Sequence, residues 1–136
     1  MLTFKTEIRI RYADTDQMQF VYNGKYLEYF EVGRTELLRS TGLSYNVVET
    51  QGYQLPLIEA HLKYVSAAYY DDILVIESSL KEIPKFKMRL DYKIFRKENS
   101  GLVTEGYTEH VFINKEKKKP VRPPEFFIDA IKSYYE

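Results

Sequence analysis

The sequence predicts an α+β fold in which a curved antiparallel sheet of five strands surrounds one long central helix. Within residues 23–40, apolar positions recur at helical spacings of four, three and four: Tyr26, Phe30, Gly33 and Leu37. Residues 3–12 and most of residues 57–115 show instead the alternation of strands. A long twisted sheet and a helix that is apolar over much of its circumference bury each other when the sheet curls around the helix.

The central helix follows a polar turn that carries two carboxylates, Asp14 and Asp16. Asn23 is the expected N-cap, because its side-chain oxygen can accept from the free N–H groups of the first turn, and Gly42 is the expected stop. Gly33 in mid-helix costs about 1 kcal/mol relative to alanine, so we expect a neighbouring backbone to approach closely there. The helix start carries partial positive charge and unpaired N–H donors, so a carbonyl oxygen could be polarised beside the acidic turn.

The remaining strands are predicted to follow one another as an antiparallel meander, after a short helical or irregular link over residues 43–53. They span residues 57–69, 73–83, 86–97 and 102–115. Asp71 and Asp72 mark the first turn, and Gly101 supplies an expected positive φ in the last hairpin. Pro120 and the two prolines after it are expected to end the last strand, and a short amphipathic helix over residues 125–134 closes the chain.

Composition favours one domain over residues 1–136 with a single core. The formal net charge is zero, with twenty acidic and twenty basic residues, so nothing suggests nucleic-acid binding. The absence of cysteine excludes a disulfide framework and a thiolate nucleophile. No apolar run approaches a membrane span and the N-terminus does not resemble a signal peptide, so we expect a cytoplasmic protein. The basic run from Lys115 to Lys119 is expected to be a solvated hairpin end.

A run of residues in the first quarter of the chain resembles a known family. The run is Tyr12-x-Asp14-Thr15-Asp16-x-x-x-x-Val21-Tyr22-x-x-x-Tyr26-x-x-Tyr29-Phe30-Glu31-x-x-Arg34-x-Glu36-x-Leu38. It is similar to the motif of the 4-hydroxybenzoyl-CoA thioesterase-like family of hotdog-fold acyl-CoA thioesterases, including its Tol-Pal-associated branch. Weaker matches follow at Tyr64, Ala67, Asp72 and residues 121–123. The resemblance implies the hotdog fold, an acyl-CoA substrate, and a homo-oligomer (dimer or tetramer) that holds acyl-CoA near the subunit interface.

The resemblance also implies roles for individual residues. It makes Asp16 the nucleophile or general base, and it places the N–H group that polarises the carbonyl near Asn23. A thioester is already reactive, so a carboxylate and helix-start donors suffice without a metal or redox cofactor. The expected substrate-binding residues are Tyr22, Gln19, Tyr26 and Arg122, of which Arg122 could meet the phosphates of CoA.

Three positions depart from the family pattern. Gln19 stands where the family usually has glycine, Asn23 where it often has histidine or tyrosine, and Lys25 where it often has asparagine. A bulky Gln19 could narrow the acyl pocket or abolish activity. The alternative function is therefore a hotdog module that binds acyl-CoA or an acyl carrier protein with weak turnover or none.

Other candidate catalytic groups are less well supported. Glu31 is a rival carboxylate, but it lies about two turns into the helix and can pair with Arg34. Asp14 is interpreted as a turn-forming residue rather than a catalytic one. His61 and His110 are the only histidines, and neither lies in the central-helix region where a hotdog dehydratase would need one. No serine lies in a nucleophile-elbow motif, which argues against a serine hydrolase.

Overall fold

The computed structural model describes residues 1–136, and it is built around a five-stranded antiparallel sheet and one long helix. In chain order the elements are β1 (Leu2–Arg9), α1 (Lys25–Ser40), α2 (Tyr45–Thr50), β2 (Tyr53–Gln54), β3 (Leu57–Tyr64), β4 (Ile73–Leu80), β5 (Met88–Arg96), β6 (Leu102–His110), β7 (Phe112–Asn114), β8 (Lys119–Val121) and α3 (Glu125–Ile131). Two 3-10 turns cover Tyr12–Asp14 and Lys132–Tyr135. The predicted α+β class and the central helix are confirmed.

The order of strands across the sheet is β1-β4-β5-β6-β3, so the later strands do not form the predicted four-strand meander. Strands β4, β5 and β6 are successive antiparallel neighbours, but β3 pairs with β6 at the far edge. The reason is that β1 occupies the other side of β4 along its whole length. Strand β3 ends at Tyr64, and the chain then crosses to the start of β4 through a turn at Asp71, where φ is 70°.

Helix α1 lies across β1 and β4 and buries one side against them. The ring of Phe30 stacks on Tyr92 of β5, with centroids 4.2 Å apart and planes within 6°. The sheet does not enclose the helix completely, because Leu27 and Val32 are 40% and 38% exposed. Part of the predicted apolar circumference therefore faces solvent in the single chain.

Gly33 is a point of close packing, as the sequence predicts, but the neighbours are side chains and not backbone. A Cβ atom at this position would lie 2.7 Å from Cγ2 of Ile76 and would also meet the hydroxyl of Ser78, both on β4. Helix α1 can therefore approach β4 this closely because Gly33 has no side chain.

The predicted last strand is divided in two. Strand β6 ends at His110, and β7 joins β2 and β8 in a separate three-stranded sheet that the sequence did not predict. Residues 115–118, three lysines and Glu116, form the exposed turn between β7 and β8, as expected. Pro120 lies within β8 instead of ending a strand. Strand β8 is an edge strand, and an edge strand tolerates proline because some of its N–H positions have no partner strand. In the β5–β6 hairpin the positive φ falls on Ser100, at 58°, and not on Gly101.

Strand β3 is a free edge of the five-stranded sheet and is exposed along nearly its whole length. Ile58 and Tyr64 are 47% and 53% exposed. They are uncovered because α1 packs on β1 and β4 at the other side of the sheet. None of the helices combines the length and the apolar composition that crossing a membrane requires.

Candidate active site

The acidic turn is a small hairpin that closes on itself before the central helix. The N–H of Tyr22 donates to the carbonyl of Asp14 at 2.9 Å, and the N–H of Asp16 donates to the carbonyl of Phe20 at 3.0 Å. At the tip, the N–H of Gln19 donates to the carbonyl of Asp16 at 2.9 Å. Backbone hydrogen bonds therefore hold the half-buried Asp16 at a defined place, seven residues before Asn23.

One oxygen of the Asp16 side chain has a partner within the hairpin. Its Oδ1 atom accepts from the N–H of Met18 at 2.9 Å, which orients the carboxylate, and no side-chain cation lies within 4.0 Å of it. The second oxygen, Oδ2, has no hydrogen-bond partner in the chain. This carboxylate therefore keeps one acceptor atom available for an incoming group.

Gln19 adopts a left-handed backbone conformation, with φ at 70°. This conformation costs side-chain-bearing residues about 1–2 kcal/mol and costs glycine almost nothing. The glycine that the family resemblance leads us to expect at this position would adopt this backbone conformation at almost no cost. The side chain of Gln19 is exposed and is not among the residues that line the neighbouring groove.

Asp14 joins the hairpin to the helix. Its Oδ2 atom accepts from the N–H of Arg11 at 3.1 Å and from the hydroxyl of Tyr29 at 3.0 Å. Its Oδ1 atom lies 3.7 Å from Nζ of Lys25. Burial, together with the hydrogen bond to Asp14, raises the pKa of Tyr29, so the phenol stays protonated and donates. These contacts agree with the structural role expected for Asp14.

The N-cap of α1 is Gly24 and not Asn23, and no side chain caps this end. Asn23 does not cap because it lies in the preceding turn, where its carbonyl accepts from the N–H of Tyr26 at 3.4 Å and from the hydroxyl of Tyr64 at 3.2 Å. The N–H groups of Asn23 and Gly24 make no hydrogen bond within the chain. Two free N–H donors therefore lie at the positive end of the helix dipole, as the sequence predicts.

A groove of about 420 Å³ lies between the acidic hairpin, the start of α1 and the end of β3. It is mainly apolar, and it is lined by Asp16, Met18, Phe20, Val21, Tyr22, Asn23, Tyr26, Tyr64, Val65, Ser66 and Ala67. Among the predicted site residues, it brings together Asp16, Asn23, Tyr22 and Tyr26. Burial raises the pKa of Tyr26 to about 12, so this phenol is neutral at physiological pH.

Arg122 does not lie beside this groove. It follows β8, and the small sheet that contains β8 adjoins the end of β6 at His110. The groove adjoins the opposite end of β6, where Tyr64 pairs with Thr104. About six residues of strand separate the two ends, which corresponds to about 20 Å. Within one chain, Arg122 and the basic turn are therefore remote from Asp16.

The rival residues also lie outside the groove lining. Glu31 is exposed and lies 4.0 Å from the guanidinium of Arg34, the i+3 ion pair that the sequence suggested. His61 stacks on Tyr107 on the sheet face away from α1, with ring centroids 5.5 Å apart. His110 is buried, and burial, with the nearby charge of Arg34, lowers its pKa to about 4. No cluster of three or more His, Cys, Asp or Glu side chains is placed to hold a metal ion.

Two features at this site were not predicted from the sequence. Gly24, next to the lining residue Asn23, has a free N–H group, and Tyr64 contributes both a wall of the groove and a hydroxyl bonded to the helix start. Tyr64 matched the family pattern, which could have indicated it. Its contact with Asn23 joins residues 41 positions apart, so local pattern could not place it.

A curved antiparallel sheet that holds one long helix, with a carboxylate and free amides at the helix start, defines a protein of the hotdog class. A family model described as the thioesterase-like superfamily matches residues 10–131. The chain therefore belongs to the thioesterase-like superfamily, and it is a thioester hydrolase.

Individual relatives agree with this family. A Bacillus subtilis protein named "Putative acyl-CoA thioesterase YneP" is 32% identical over 130 residues, which cover 96% of this chain and 94% of that protein. The DHNA-CoA thioesterase of Staphylococcus aureus is 30% identical, with a TM-score of 0.90 over 99% of this chain and 90% of that one. A mutant 4-hydroxybenzoyl CoA thioesterase complexed with 4-hydroxybenzoyl CoA shares the fold at 20% identity, with a TM-score of 0.85 over 96% and 99% of the two chains.

Proposed function

We propose that this protein hydrolyses acyl-CoA thioesters to a free acid and CoA, with Asp16 as the reacting carboxylate and the N–H groups of Asn23 and Gly24 as carbonyl donors. The observation that carries the proposal is that Asp16 and Asn23 line one apolar groove at the start of α1. The acyl group would lie against Tyr26 and Tyr64, and the thioester carbonyl would point at the free amides. Relatives named as acyl-CoA and DHNA-CoA thioesterases support the substrate class.

The chemistry can follow either of two routes from the same geometry. As general base, Asp16 takes a proton from water, whose oxygen attacks the thioester carbonyl; the C–S bond then breaks, CoA leaves as a thiolate that takes up a proton, and the free acid remains. As nucleophile, an oxygen of Asp16 attacks the carbonyl directly, CoA leaves as a thiolate, and water then hydrolyses the mixed anhydride. In both routes negative charge develops on the carbonyl oxygen, where two helix-start donors stabilise it. Loss of one such donor has cost about 10²–10³ in rate in other enzymes.

The test is release of free thiol from a panel of short, long and aromatic acyl-CoA esters. Asp16→Asn should reduce turnover by at least about 10²-fold without lowering the thermal midpoint, because the amide keeps the size of the carboxylate but neither its charge nor its basicity. Asp129→Asn is the matched control, since Asp129 is exposed on α3 and pairs only with Lys132. Undiminished turnover in Asp16→Asn would remove Asp16 from the mechanism.

The alternative function, binding without turnover, is motivated by Gln19. The exposure of this side chain and its absence from the groove lining favour hydrolysis over simple binding. Gln19→Gly separates the two functions, because it restores the family residue at a position with positive φ. If the wild-type protein binds acyl-CoA but releases thiol only after this substitution, the protein is a binding module.

We also propose that the working unit is a homodimer formed through the β3 edges. Strand β3 presents an unpaired edge with exposed apolar side chains at Leu57 and Ile58. Two antiparallel β3 strands related by a two-fold axis would place the Leu57 end of one subunit beside the Tyr64 end of the other. The same arrangement would bring the partner's basic turn closer to the groove, where it could meet CoA phosphates.

A further inference from the structure

Tyr64 is the aromatic residue at the C-terminal end of β3, and it forms one wall of the groove. Its ring lies 5.7 Å from that of Tyr26 and is tilted by 60° to it, so the two phenols form a corner around the place proposed for the acyl group. Because the side chain is 53% exposed, its hydroxyl could be hydrated by water. The hydroxyl instead bonds to the chain at a specific backbone atom.

That backbone atom belongs to the start of α1. The hydroxyl of Tyr64 donates to the carbonyl oxygen of Asn23 at 3.2 Å. The same peptide unit ends in the N–H of Gly24, which has no partner in the chain. A hydrogen bond accepted by a peptide carbonyl polarises the whole unit and makes its N–H a stronger donor. It also fixes the plane of the peptide, and with it the direction in which the N–H points.

We propose that Tyr64 is a positioning residue for the thioesterase reaction, which orients and polarises the Asn23–Gly24 peptide so that the Gly24 N–H stabilises the oxyanion. This inference rests on the proposed function, because it assigns the free helix-start amide to the thioester carbonyl. It requires the hydroxyl of Tyr64 and not only its ring. Since Tyr64 belongs to β3 and the peptide belongs to the helix start, a change in the β3 edge would reach the oxyanion site through one hydrogen bond.

The first test compares Tyr64→Phe with Tyr107→Phe and the wild-type protein on the best acyl-CoA of the panel. Tyr107→Phe is the matched control, because it removes a hydroxyl that bonds to Glu59 on the opposite face of the sheet. Tyr64→Phe should lower kcat about three- to ten-fold and leave KM within about two-fold, because the hydrogen bond acts on the transition state. A rise in KM with unchanged kcat would reduce Tyr64 to a wall of the pocket and overturn the proposal.

A second measurement does not depend on activity. The amide proton of Gly24 should move upfield in the NMR spectrum of Tyr64→Phe, because a less polarised peptide has a less deshielded N–H. It should stay in place in Tyr107→Phe. If the wild-type protein shows no turnover, the proposed function fails, while the Gly24 shift still decides whether Tyr64 polarises this peptide. An unchanged Gly24 amide in Tyr64→Phe overturns the inference whatever the kinetics.

Discussion

A single carboxylate, that of Asp14, joins the acidic hairpin to the first two turns of α1. It accepts from the N–H of Arg11 and the hydroxyl of Tyr29, and it lies beside the ammonium of Lys25. Asp16, two residues later, makes one short hydrogen bond within its own hairpin. Two aspartates in one motif are therefore set apart by their surroundings, one enclosed by partners and one open to the groove.

This contrast predicts that the same substitution affects stability at Asp14 but not at Asp16. Asp14→Asn should lower the free energy of unfolding by about 2 kcal/mol, because the buried partners of Asp14 lose the negative charge that accepts their hydrogen bonds and balances Lys25. Asp16→Asn should leave the stability nearly unchanged. Urea unfolding monitored by circular dichroism measures both, with Asp129→Asn as the exposed control. Equal stability of the Asp14 and Asp16 variants would contradict the assigned roles.

His110 predicts how stability depends on pH. Burial is the main reason that its pKa falls to about 4 in the folded protein, and the charge of Arg34 adds to the effect. The usual value in an unfolded chain is about 6.5, so between these values the unfolded chain binds a proton that the folded protein does not. By linkage, the contribution of neutral His110 to the free energy of unfolding is complete above about pH 6.5 and is lost as the pH falls toward 4.

The unfolding free energy should therefore decrease by about 2 kcal/mol between pH 7 and pH 5 through His110 alone. His110→Gln should remove this part of the pH dependence, whereas substitution of the exposed His61 by Gln should keep it. The measurement is urea unfolding at several pH values for the three proteins. If the free energy of unfolding depends on pH as steeply in His110→Gln as in the wild-type protein, groups other than His110 cause the dependence.

At the scale of elements, the contact between α1 and β4 depends on the missing side chain of Gly33. Alanine would raise the helix propensity by about 1 kcal/mol, but its Cβ would meet Ile76 and Ser78 at distances that require a shift. Two packed elements would have to separate by a few tenths of an ångström. That separation would also disturb the stacking of Phe30 on Tyr92.

We expect packing to outweigh propensity, so Gly33→Ala should lower the free energy of unfolding by about 1–3 kcal/mol. Val32→Ala, at the neighbouring exposed position, should change it by less than about 0.5 kcal/mol. Thermal unfolding of both variants by calorimetry is the measurement. A stabilised Gly33→Ala protein would mean that α1 can move away from β4 at little cost.

At the scale of the whole molecule, the open edge of β3 is the surface on which the proposed dimer depends. Exposed edge strands pair readily with other strands, and folded proteins usually protect them. A two-fold pairing of β3 strands would bury Leu57 and Ile58 and would extend the groove across the interface. The proposed dimer is thus connected to the site through Tyr64, the last residue of β3.

The dimer predicts that Ile58→Lys should shift the protein from dimer to monomer and lower turnover. A lysine at this position would place a charge where the pairing of the two β3 edges buries an apolar side chain, which opposes association. Ile83→Lys, in the connection between β4 and β5, is a matched control at another exposed isoleucine. Analytical ultracentrifugation and the thiol-release assay measure the two effects. An unchanged dimer in Ile58→Lys would exclude the β3 edge as the interface.

The sequence alone determined the features that depend on local periodicity and local chemistry. The long helix to Ser40, the N-terminal strand, the hairpin at residues 115–118 and the closing helix all follow from the spacing of apolar and turn-forming residues. An acidic turn beside a helix start was also predictable, because Asp14, Asp16 and Asn23 lie within ten residues of one another. The family resemblance extended this local pattern to thioester hydrolysis.

Only the tertiary structure decided which strand lies beside which and which side chains meet. Strand β3 pairs with β6 because β1 occupies the edge of β4, a competition that alternation within each strand does not encode. The free N–H of Gly24 and the bond from Tyr64 to Asn23 likewise depend on how the end of β3 crosses the helix start. Arg122 is remote from Asp16 for the same reason. Periodicity specifies which face of an element is apolar, but the choice of neighbour depends on long-range packing of the whole chain.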